Sequence, residues 1–338
     1  MTLKDVAKKA NVSTMTVSNV INGKHNRVSE KTIEKVNTII AECGYVPNLN
    51  ARSLTNKVSN IIQIIISSDN ANSDENYLEN PYISSMLGTI EHELRNNGYY
   101  TMISSISNNT DVTQMQKNWN MDGIIFLYPY KKEYLSKLLE TSPCPIAVFD
   151  SDLQSNDIIN VCSNDEKGGY LSTKYLINRG HKKIAFVADY KGNHVLTSRF
   201  NGYRRALNES GISLNEEFIY NYQPSYQGGI SAGKKIVADK KGITAVVTTA
   251  DICAIGVMEG AKLEGYRIPV DLSVMGYDNL SLCQYTTPKL ASVSQNINEK
   301  ALLATRLLIE KIKNCDIPTN HVITDVEIVE RHSVVSIL

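Results

Sequence analysis

A row of mostly small polar side chains near the amino terminus could read the edges of DNA bases. The row comprises Thr14, Met15, Thr16, Ser18 and Asn19. Hydroxyl and amide groups of this size donate and accept hydrogen bonds in the major groove, where each base pair presents a distinct pattern. Such contacts require a helix that enters the groove, so the interpretation depends on the residues that flank the row.

The flanking residues predict two short helices joined by a tight turn. Their inward positions repeat with helical spacing: Leu3, Val6, Ala7 and Ala10 in the first, and Val17, Val20 and Ile21 in the second. Asn11 and Val12 form the turn, and Ser13 can cap the second helix. This arrangement is a helix-turn-helix. On spacing alone, two amphipathic helices with no role in DNA binding would give the same pattern.

A third helix and a short linker follow. Ser29 can cap this helix, Gly44 can end it, and its apolar positions are Ile33, Val36, Ile40 and Cys43. Three helices can close a small core. The next stretch, residues 45 to 54, has helical potential but is too short to be stable alone in water.

The composition is that of an ordinary globular chain, with 42% hydrophobic and 21% charged residues in 338. No apolar run has the length of a membrane span, and the chain is polar from Lys4 onward. We therefore expect neither a signal peptide nor an anchor, and a cytoplasmic, nucleoid-associated location. The six cysteines include no C-x-x-C pair, which argues against a disulfide framework or a zinc site.

Charge is distributed unevenly along the chain. Up to Asn60 there are nine basic and four acidic residues, a net charge of +5, whereas the whole chain has 35 of each. Lysine and arginine that neutralise phosphates release counterions from DNA, so a basic first segment favours backbone binding. The remainder of the chain must have another task.

From Asn60 onward, short apolar runs alternate with amphipathic helices. The predicted strands are 61–66, 100–104, 123–127, 146–149, 184–187, 245–248 and 272–275. The predicted helices are 82–97, 168–179, 199–210, 228–238 and 252–264. Such alternation predicts parallel sheets with helices on both faces. Seven or more strands are too many for a single sheet of usual size. We therefore expect an α/β core of two doubly wound subdomains with a cleft between them.

Four charged residues are expected to face that cleft, where ligands of doubly wound folds bind at the carboxyl ends of strands. Asp150, Asp251 and Asp278 each follow a predicted strand, and Arg199 opens a predicted helix. Carboxylates beside a guanidinium suit vicinal hydroxyl groups. The competing interpretation is structural, because an aspartate at a strand end is often a helix cap, as Asp251 could be. Tyr82 is a further candidate.

Catalytic motifs are missing from the sequence. There is no G-x-G-x-x-G, Walker loop or G-x-S-x-G, and the six histidines show no metal-ligand spacing. We therefore expect no enzyme activity, no metal and no cofactor.

The first segment closely resembles the headpiece of the LacI/GalR family of bacterial repressors, which reads T-x-x-D-V-A-x-x-A-x-V-S-x-x-T-V-S-x-V-x-N. The matching residues are Thr2, Asp5, Val6, Ala7, Ala10, Val12, Ser13, Thr16, Val17, Ser18, Val20 and Asn22. The resemblance implies that Thr2, Ser13 and Asn22 belong with the row from Thr14 to Asn19 at the DNA surface.

The linker resembles the hinge helix of the same family, Y-x-P-N-x-x-A-R-x-L. Asn48, Ala51, Arg52 and Leu54 occupy its characteristic positions. The resemblance implies that Leu54 wedges into the minor groove at the operator dyad and that Ala51 packs against the partner hinge. An inserted apolar side chain kinks the duplex and recovers that cost through added contacts.

The rest of the chain resembles the periplasmic-binding-protein-like core of these repressors, in segments such as Met121 to Ile125, Arg199 to Tyr203 and Val274 to Asn279. The resemblance implies a headpiece at 1–46, a hinge at 47–58 and a core at 59–338. An N-subdomain would comprise about 59–161 and 294–322, and a C-subdomain about 162–291 and 323–338. The chain would cross between them three times, the last time near residues 291–296, where it would return helix 299–313 to the N-subdomain. In this family, the positions matching Arg199 and Asp278 hold the effector.

Several positions depart from the family pattern. Asn19 stands where most members carry a base-reading arginine, and Asn prefers adenine edges where Arg prefers guanine. Ala250 replaces the asparagine of an A-N-D motif, which removes one amide from the cleft. The segment 67–79 is longer than usual and 107–121 is shorter.

The expected function is a homodimeric transcription regulator, most simply a repressor, that binds a pseudo-palindromic operator and senses a sugar or sugar derivative. Within the family, a nucleobase-like ligand or a protein corepressor remains open. Outside it, the alternatives are a cytoplasmic sugar-binding protein without regulatory DNA binding and a Rossmann-type enzyme.

Overall fold

A computed structural model describes residues 1–21, 23–45, 59–67, 76–106, 120–127, 132–153 and 155–338. Its contacts divide the chain into two units. One comprises Met1–Asn60 with Trp119–Met121, and the other comprises Ile61–Asn118 with Asp122–Leu338. Among the helices of these ranges, none combines the length and the apolar character that a membrane span requires.

The headpiece consists of three helices, α1 (Leu3–Ala10), α2 (Thr14–Ile21) and α3 (Glu30–Cys43). A capping box begins α1, because Asp5 N donates to Thr2 Oγ1 and Thr2 N donates to the Asp5 carboxylate. The turn to α2 uses Asn11 at φ 50°. Ser13 Oγ then accepts from Thr16 N at 3.0 Å, which confirms its predicted capping role.

The headpiece has its own small core. Its most deeply buried members, Val6, Ala10, Val17 and Val36, have no exposed surface and come from all three helices. Gly44 ends α3 in the left-handed region at φ 56°, as predicted. Ser29 occupies the N-cap position of α3, but its hydroxyl bonds Thr32 Oγ1 instead of a backbone N–H. The predicted helix-turn-helix is therefore present.

The second unit contains two six-stranded sheets. Their strands are β1 (Ile61–Ser67), β2 (Tyr100–Ile106), β3 (Gly123–Leu127), β4 (Ile146–Phe149), β5 (Ile158–Ser163), β6 (Ile184–Val187), β7 (Ile219–Tyr220), β8 (Ala245–Thr248), β9 (Ser273–Asp278), β10 (Ala291–Ser294), β11 (His321–Thr324) and β12 (Glu327–Val329). The first sheet has the order β11-β5-β4-β3-β1-β2, and the second has β12-β10-β9-β8-β6-β7. The described strand pairs are parallel except β10 with β12, which is antiparallel. The predicted doubly wound architecture is confirmed.

Seven helices of the described residues flank the two sheets. They are α4 (Pro81–Asn96), α5 (Lys132–Thr141), α6 (Asp165–Ile177), α7 (His194–Glu209), α8 (Tyr226–Ala238), α9 (Asp251–Leu263) and α10 (Ile297–Ile312). Helices α4 and α10 pack with β1, β3 and β4 around one apolar core, while α8 and α9 pack on the second sheet. We call the first sheet with its helices the N-subdomain and the second the C-subdomain.

The chain crosses between the two sheets three times, as expected, but the crossing near residues 291–296 is the second and not the last. It leaves the first sheet after β5, returns after β10 and leaves again after β11. Strand β5 extends to Ser163, two residues beyond the expected boundary at 161. Asn160 obscured this strand in the sequence, but its amide is buried and pairs with the backbone of Ser151 at 2.7 Å and 3.2 Å.

One helix boundary was predicted wrongly in a way that matters for the cleft. Arg199 does not open a helix, because α7 begins at His194, with Asn193 as its N-cap. Asn193 Oδ1 accepts from Leu196 N at 3.1 Å. Arg199 therefore lies in the second turn of α7, which holds its backbone rigidly.

Candidate functional site

The exposed end of α2 provides the candidate DNA-reading surface. Thr14 and Met15 are exposed, and Met15 retains 68% of its accessible surface despite being apolar. The expectation that the whole row is exposed is only partly right, since Thr16, Ser18 and Asn19 are half-buried. Thr2 and Ser13 are engaged in helix capping.

The other predicted DNA contacts lie outside the described residues. These are Asn22 in the headpiece and Asn48, Ala51, Arg52 and Leu54 in the hinge. Their roles stay predictions.

The cleft between the two sheets forms a cavity of about 130 Å³. The carboxyl ends of strands from both sheets line it. In each sheet the strand order reverses at one position, beside β1 in the first sheet and beside β6 in the second, and a crevice forms there at the carboxyl edge. The polar lining comprises Asn80, Tyr82, Asp150, Asn193, His194, Arg199, Thr249, Asp278 and Gln295. Apolar lining residues include Leu127, Phe149, Ile252 and Leu280. Four of the five predicted effector residues therefore meet at one cavity.

Arg199 is held rigidly in the cavity wall. Its Nε donates to Asp165 Oδ1 at 2.8 Å, and an NH group donates to the Thr249 carbonyl oxygen at 2.6 Å. The guanidinium also lies 3.6 Å above the centre of the Tyr277 ring. Burial opposes its charge, but the Asp165 carboxylate outweighs burial and raises the pKa of Arg199. The side chain is therefore a fixed cationic donor.

Asp278 faces the cavity from the end of β9. Its backbone adopts φ 116°, a strained value that is common at functional positions. Gln295 Nε2 donates to Asp278 Oδ1 at 2.5 Å. Burial, followed by the nearby Asp251 carboxylate, raises the pKa of Asp278 to about 8. This carboxyl group therefore carries a proton over much of the neutral range.

Asp150 faces the cavity from the opposite sheet, at the end of β4 and with φ 50°. Lys300 Nζ donates to Asp150 Oδ1 at 2.6 Å and also contacts Oδ2. Sequence reasoning missed Lys300. The sequence feature that could have indicated it is a single lysine among the buried apolar positions of α10, which include Ile297, Ala301, Ala304 and Leu308.

Asp251 does not line the cavity, so the expectation that it points into the cleft is wrong. It is fully buried in the C-subdomain, where its carboxylate accepts from Leu280 N at 2.7 Å and from Ser292 Oγ at 2.6 Å. It is not the helix cap either, because Ala250 occupies the N-cap position of α9. Burial raises the pKa of Asp251 to about 6. Its place in the fold is structural.

Tyr82 lines the cavity from the first turn of α4. Asn80 caps that helix by accepting from Tyr82 N at 3.0 Å. Burial and the Asp150 carboxylate raise the pKa of Tyr82 well above its ordinary value. The phenol is therefore a neutral group that can donate or accept a hydrogen bond.

Two family models match the chain. Residues 2–48 match the bacterial regulatory proteins of the lacI family, and residues 173–334 match a periplasmic binding protein-like domain. The HTH-type transcriptional repressor PurR of Vibrio atlanticus (strain LGP32) is 33% identical over 338 residues, which cover 98% of each chain. The chain belongs to the lacI family.

Other relatives agree with this assignment. The ribose operon repressor of Haemophilus influenzae is 32% identical over 319 residues, 93% of this chain and 92% of that one. The lac repressor dimer bound to operator and the anti-inducer ONPF shares the fold, with a TM-score of 0.84 at 23% identity over 99% of both chains. The CelR–cellobiose complex gives 0.72 at 24% identity, over 98% of this chain and 99% of that one.

Membership establishes the class of function. LacI-family proteins are DNA-binding transcriptional repressors and not enzymes, so this chain is a DNA-binding repressor. The predicted family, fold and non-enzymatic class are confirmed.

Proposed function

We propose that this lacI-family repressor binds a pseudo-palindromic operator as a homodimer and is controlled by a sugar or sugar derivative in the cavity. The observation that carries the effector assignment is the fixed guanidinium of Arg199 in one cavity with the carboxyl groups of Asp150 and Asp278. A repressor acts where the chromosome is, so we place the protein in the cytoplasm.

The chemistry of the cavity suits a polyhydroxylated ligand. Arg199 can donate only, an ionised Asp150 can accept only, and Asp278 can do either according to its protonation. Each hydroxyl of a sugar both donates and accepts, so neighbouring hydroxyls can bridge these groups. Phe149, Leu127 and Leu280 offer apolar surface for the C–H faces of the ring. Relatives described as a ribose operon repressor and a CelR–cellobiose complex support the same class.

A nucleobase-like ligand is the second candidate. Asp278 could accept from a ring N–H or, when protonated, donate to a ring nitrogen, and Tyr82 offers an aromatic surface for a planar ring. A protein corepressor is the third, and it would leave the cavity without a role.

The proposed switch follows from the two-sided lining. A ligand that contacts Asp150 in the N-subdomain and Arg199 and Asp278 in the C-subdomain favours one angle between the two sheets. It changes operator affinity only if it binds the two arrangements with different affinity. The hinge, residues 47–58, would transmit the change by folding or unfolding on DNA.

On the DNA side, we propose that α2 lies in the major groove. Thr14 and Met15, the exposed side chains of its first turn, would contact the bases together with Asn19. Leu54 would wedge into the minor groove. The proposal predicts that Leu54→Ala weakens operator binding while effector affinity stays the same.

The test begins with selection of an operator from random duplexes by the full-length protein. Its affinity is then measured with D-ribose, cellobiose, D-glucose and hypoxanthine. A sugar effector should change operator affinity by ~5- to 150-fold, the usual range of allosteric coupling. Arg199→Ala should abolish that change, whereas Arg204→Ala, an exposed position on the same helix, should preserve it. An effect of hypoxanthine alone would favour the second candidate, and no effect of any probe would count against the sugar assignment.

A further inference from the structure

Lys300 is a fully buried charged residue in the apolar stripe of α10. Removing an ammonium from water costs several kcal/mol unless its charge and its three N–H donors are satisfied. Leucine or methionine would fill the same space without that cost. The residue therefore requires an explanation beyond packing.

The ammonium of Lys300 has two partners at the carboxyl edge of the first sheet. It donates to the Asp150 carboxylate, with Oδ1 at 2.6 Å, and to Ser163 Oγ at 3.0 Å. Ser163 N also donates to Asp150 Oδ1 at 3.0 Å. These contacts hold the Asp150 carboxylate in a single orientation at the cavity wall.

The chain of hydrogen bonds continues into the second sheet. Ser163 Oγ donates to Gln295 Oε1 at 2.8 Å, and Gln295 Nε2 donates to Asp278 Oδ1 at 2.5 Å. Because an ammonium can only donate, Ser163 Oγ must accept from Lys300 and direct its own hydrogen to Gln295. That contact fixes the Gln295 amide with its NH₂ group toward Asp278. Gln295 lies where the chain crosses between the sheets, so the series joins the two cavity walls.

We propose that Lys300 is a positioning residue of the effector cavity, and this rests on the proposed function. It aims the Asp150 carboxylate and, through Ser163 and Gln295, determines which oxygen of Asp278 remains for the ligand. The cavity thus presents the Asp150 carboxylate as a fixed acceptor on one wall. On the other wall it presents a single Asp278 oxygen, which donates when that carboxyl group is protonated and accepts when it is ionised, so the selected ligand both donates and accepts hydrogen bonds. A polyol meets that requirement without further change.

The competing role is purely structural, in which the ion pair only fills the N-subdomain core. A double-mutant cycle separates the two roles. If Lys300 acts through Asp150, the loss of ligand affinity caused by Lys300→Met largely disappears when Asp150 is already Asn. If the substitution merely loosens the fold, the loss is the same in both backgrounds.

The experiment measures calorimetric affinity of the full-length protein for D-ribose, cellobiose and hypoxanthine. The proteins are wild type, Lys300→Met, Asp150→Asn and the double variant, with Lys311→Met as the matched control on the exposed face of α10. Lys300→Met should weaken binding of the recognised probe by at least ~10-fold, because hydrogen bonds to a charged group are lost. The double variant should bind within ~3-fold of Asp150→Asn. Equal losses in both backgrounds would overturn the proposal.

A crystal structure of ligand-free Lys300→Met supplies a readout that does not depend on the effector. The proposal expects the Asp150 carboxylate to turn from its position and the Gln295 side chain to lose its contact with Ser163. Both side chains in their original places would refute it. If wild type binds a selected operator but none of the three probes, the assigned effector class fails, and this crystal structure alone decides the role of Lys300.

Discussion

The buried carboxyl group of Asp278 should make the stability of the protein depend on pH in an unusual direction. Its pKa of about 8 in the folded protein lies above the ordinary value of 3.8, so the folded state binds the proton more tightly than the unfolded chain. The contribution of Asp278 to the free energy of unfolding is then fully present below pH ~4 and is lost as pH rises through ~8. Between pH 6 and pH 8 the expected loss is about 2 kcal/mol, since each unit of pKa is about 1.4 kcal/mol.

Asp278→Asn should remove that loss. The amide keeps the shape of the side chain and can still accept from Gln295, but it has no charge to bury. We expect the variant to gain about 2 kcal/mol over wild type on going from pH 6 to pH 8. Urea denaturation followed by circular dichroism at several pH values measures it, with Asp316→Asn, an exposed aspartate, as the control. Parallel pH profiles for wild type and Asp278→Asn would refute the reasoning.

Three further predictions concern packing, capping and base recognition. Gly256→Ala should destabilise the C-subdomain by ~1–3 kcal/mol in urea denaturation, because its Cβ would lie 2.2 Å from the Tyr226 carbonyl oxygen. The control, Gly88→Ala, has open space in α4 and should stabilise by ~0.5–1 kcal/mol. Thr2→Ala should reduce the stability of α1 by ~1 kcal/mol, because it removes the capping box. Amide hydrogen exchange in α1 should become faster, and unchanged exchange would contradict the prediction. Asn19→Arg should shift the operators selected from random duplexes toward guanine at one position, and an unchanged consensus would remove Asn19 from the reading surface.

Periodicity and motif predicted the elements that carry long, regular patterns. The helices of the headpiece, strands β1 to β4 and strands β6, β8 and β9 lie within a few residues of their predicted positions, because their apolar faces are buried in the way the spacing requires. Strands β7 and β12 were not predicted, because segments of two or three residues are too short to show alternation. Strand β5 was not predicted, because its buried residue Asn160 is of a type that usually lies in loops.

The candidate site was predictable only in part. The carboxyl-end rule correctly placed Asp150 and Asp278 at the cavity, since each directly follows or ends a strand. The same rule failed for Asp251, whose side chain turns into the C-subdomain toward Ser292. Lys300 could not be placed, because its partners, Asp150 and Ser163, are more than 130 positions away in sequence and meet it only through the second crossing, after β10.

The late return of the chain to the first sheet has a consequence for biosynthesis. Strand β11 pairs with β5, yet it follows five of the six strands of the second sheet in sequence. During translation, the edge of β5 that pairs with β11 stays unpaired until most of the C-subdomain has been synthesised. A nascent chain stalled before residue 321 should therefore bind chaperones, although nearly all of its two subdomains has already been synthesised.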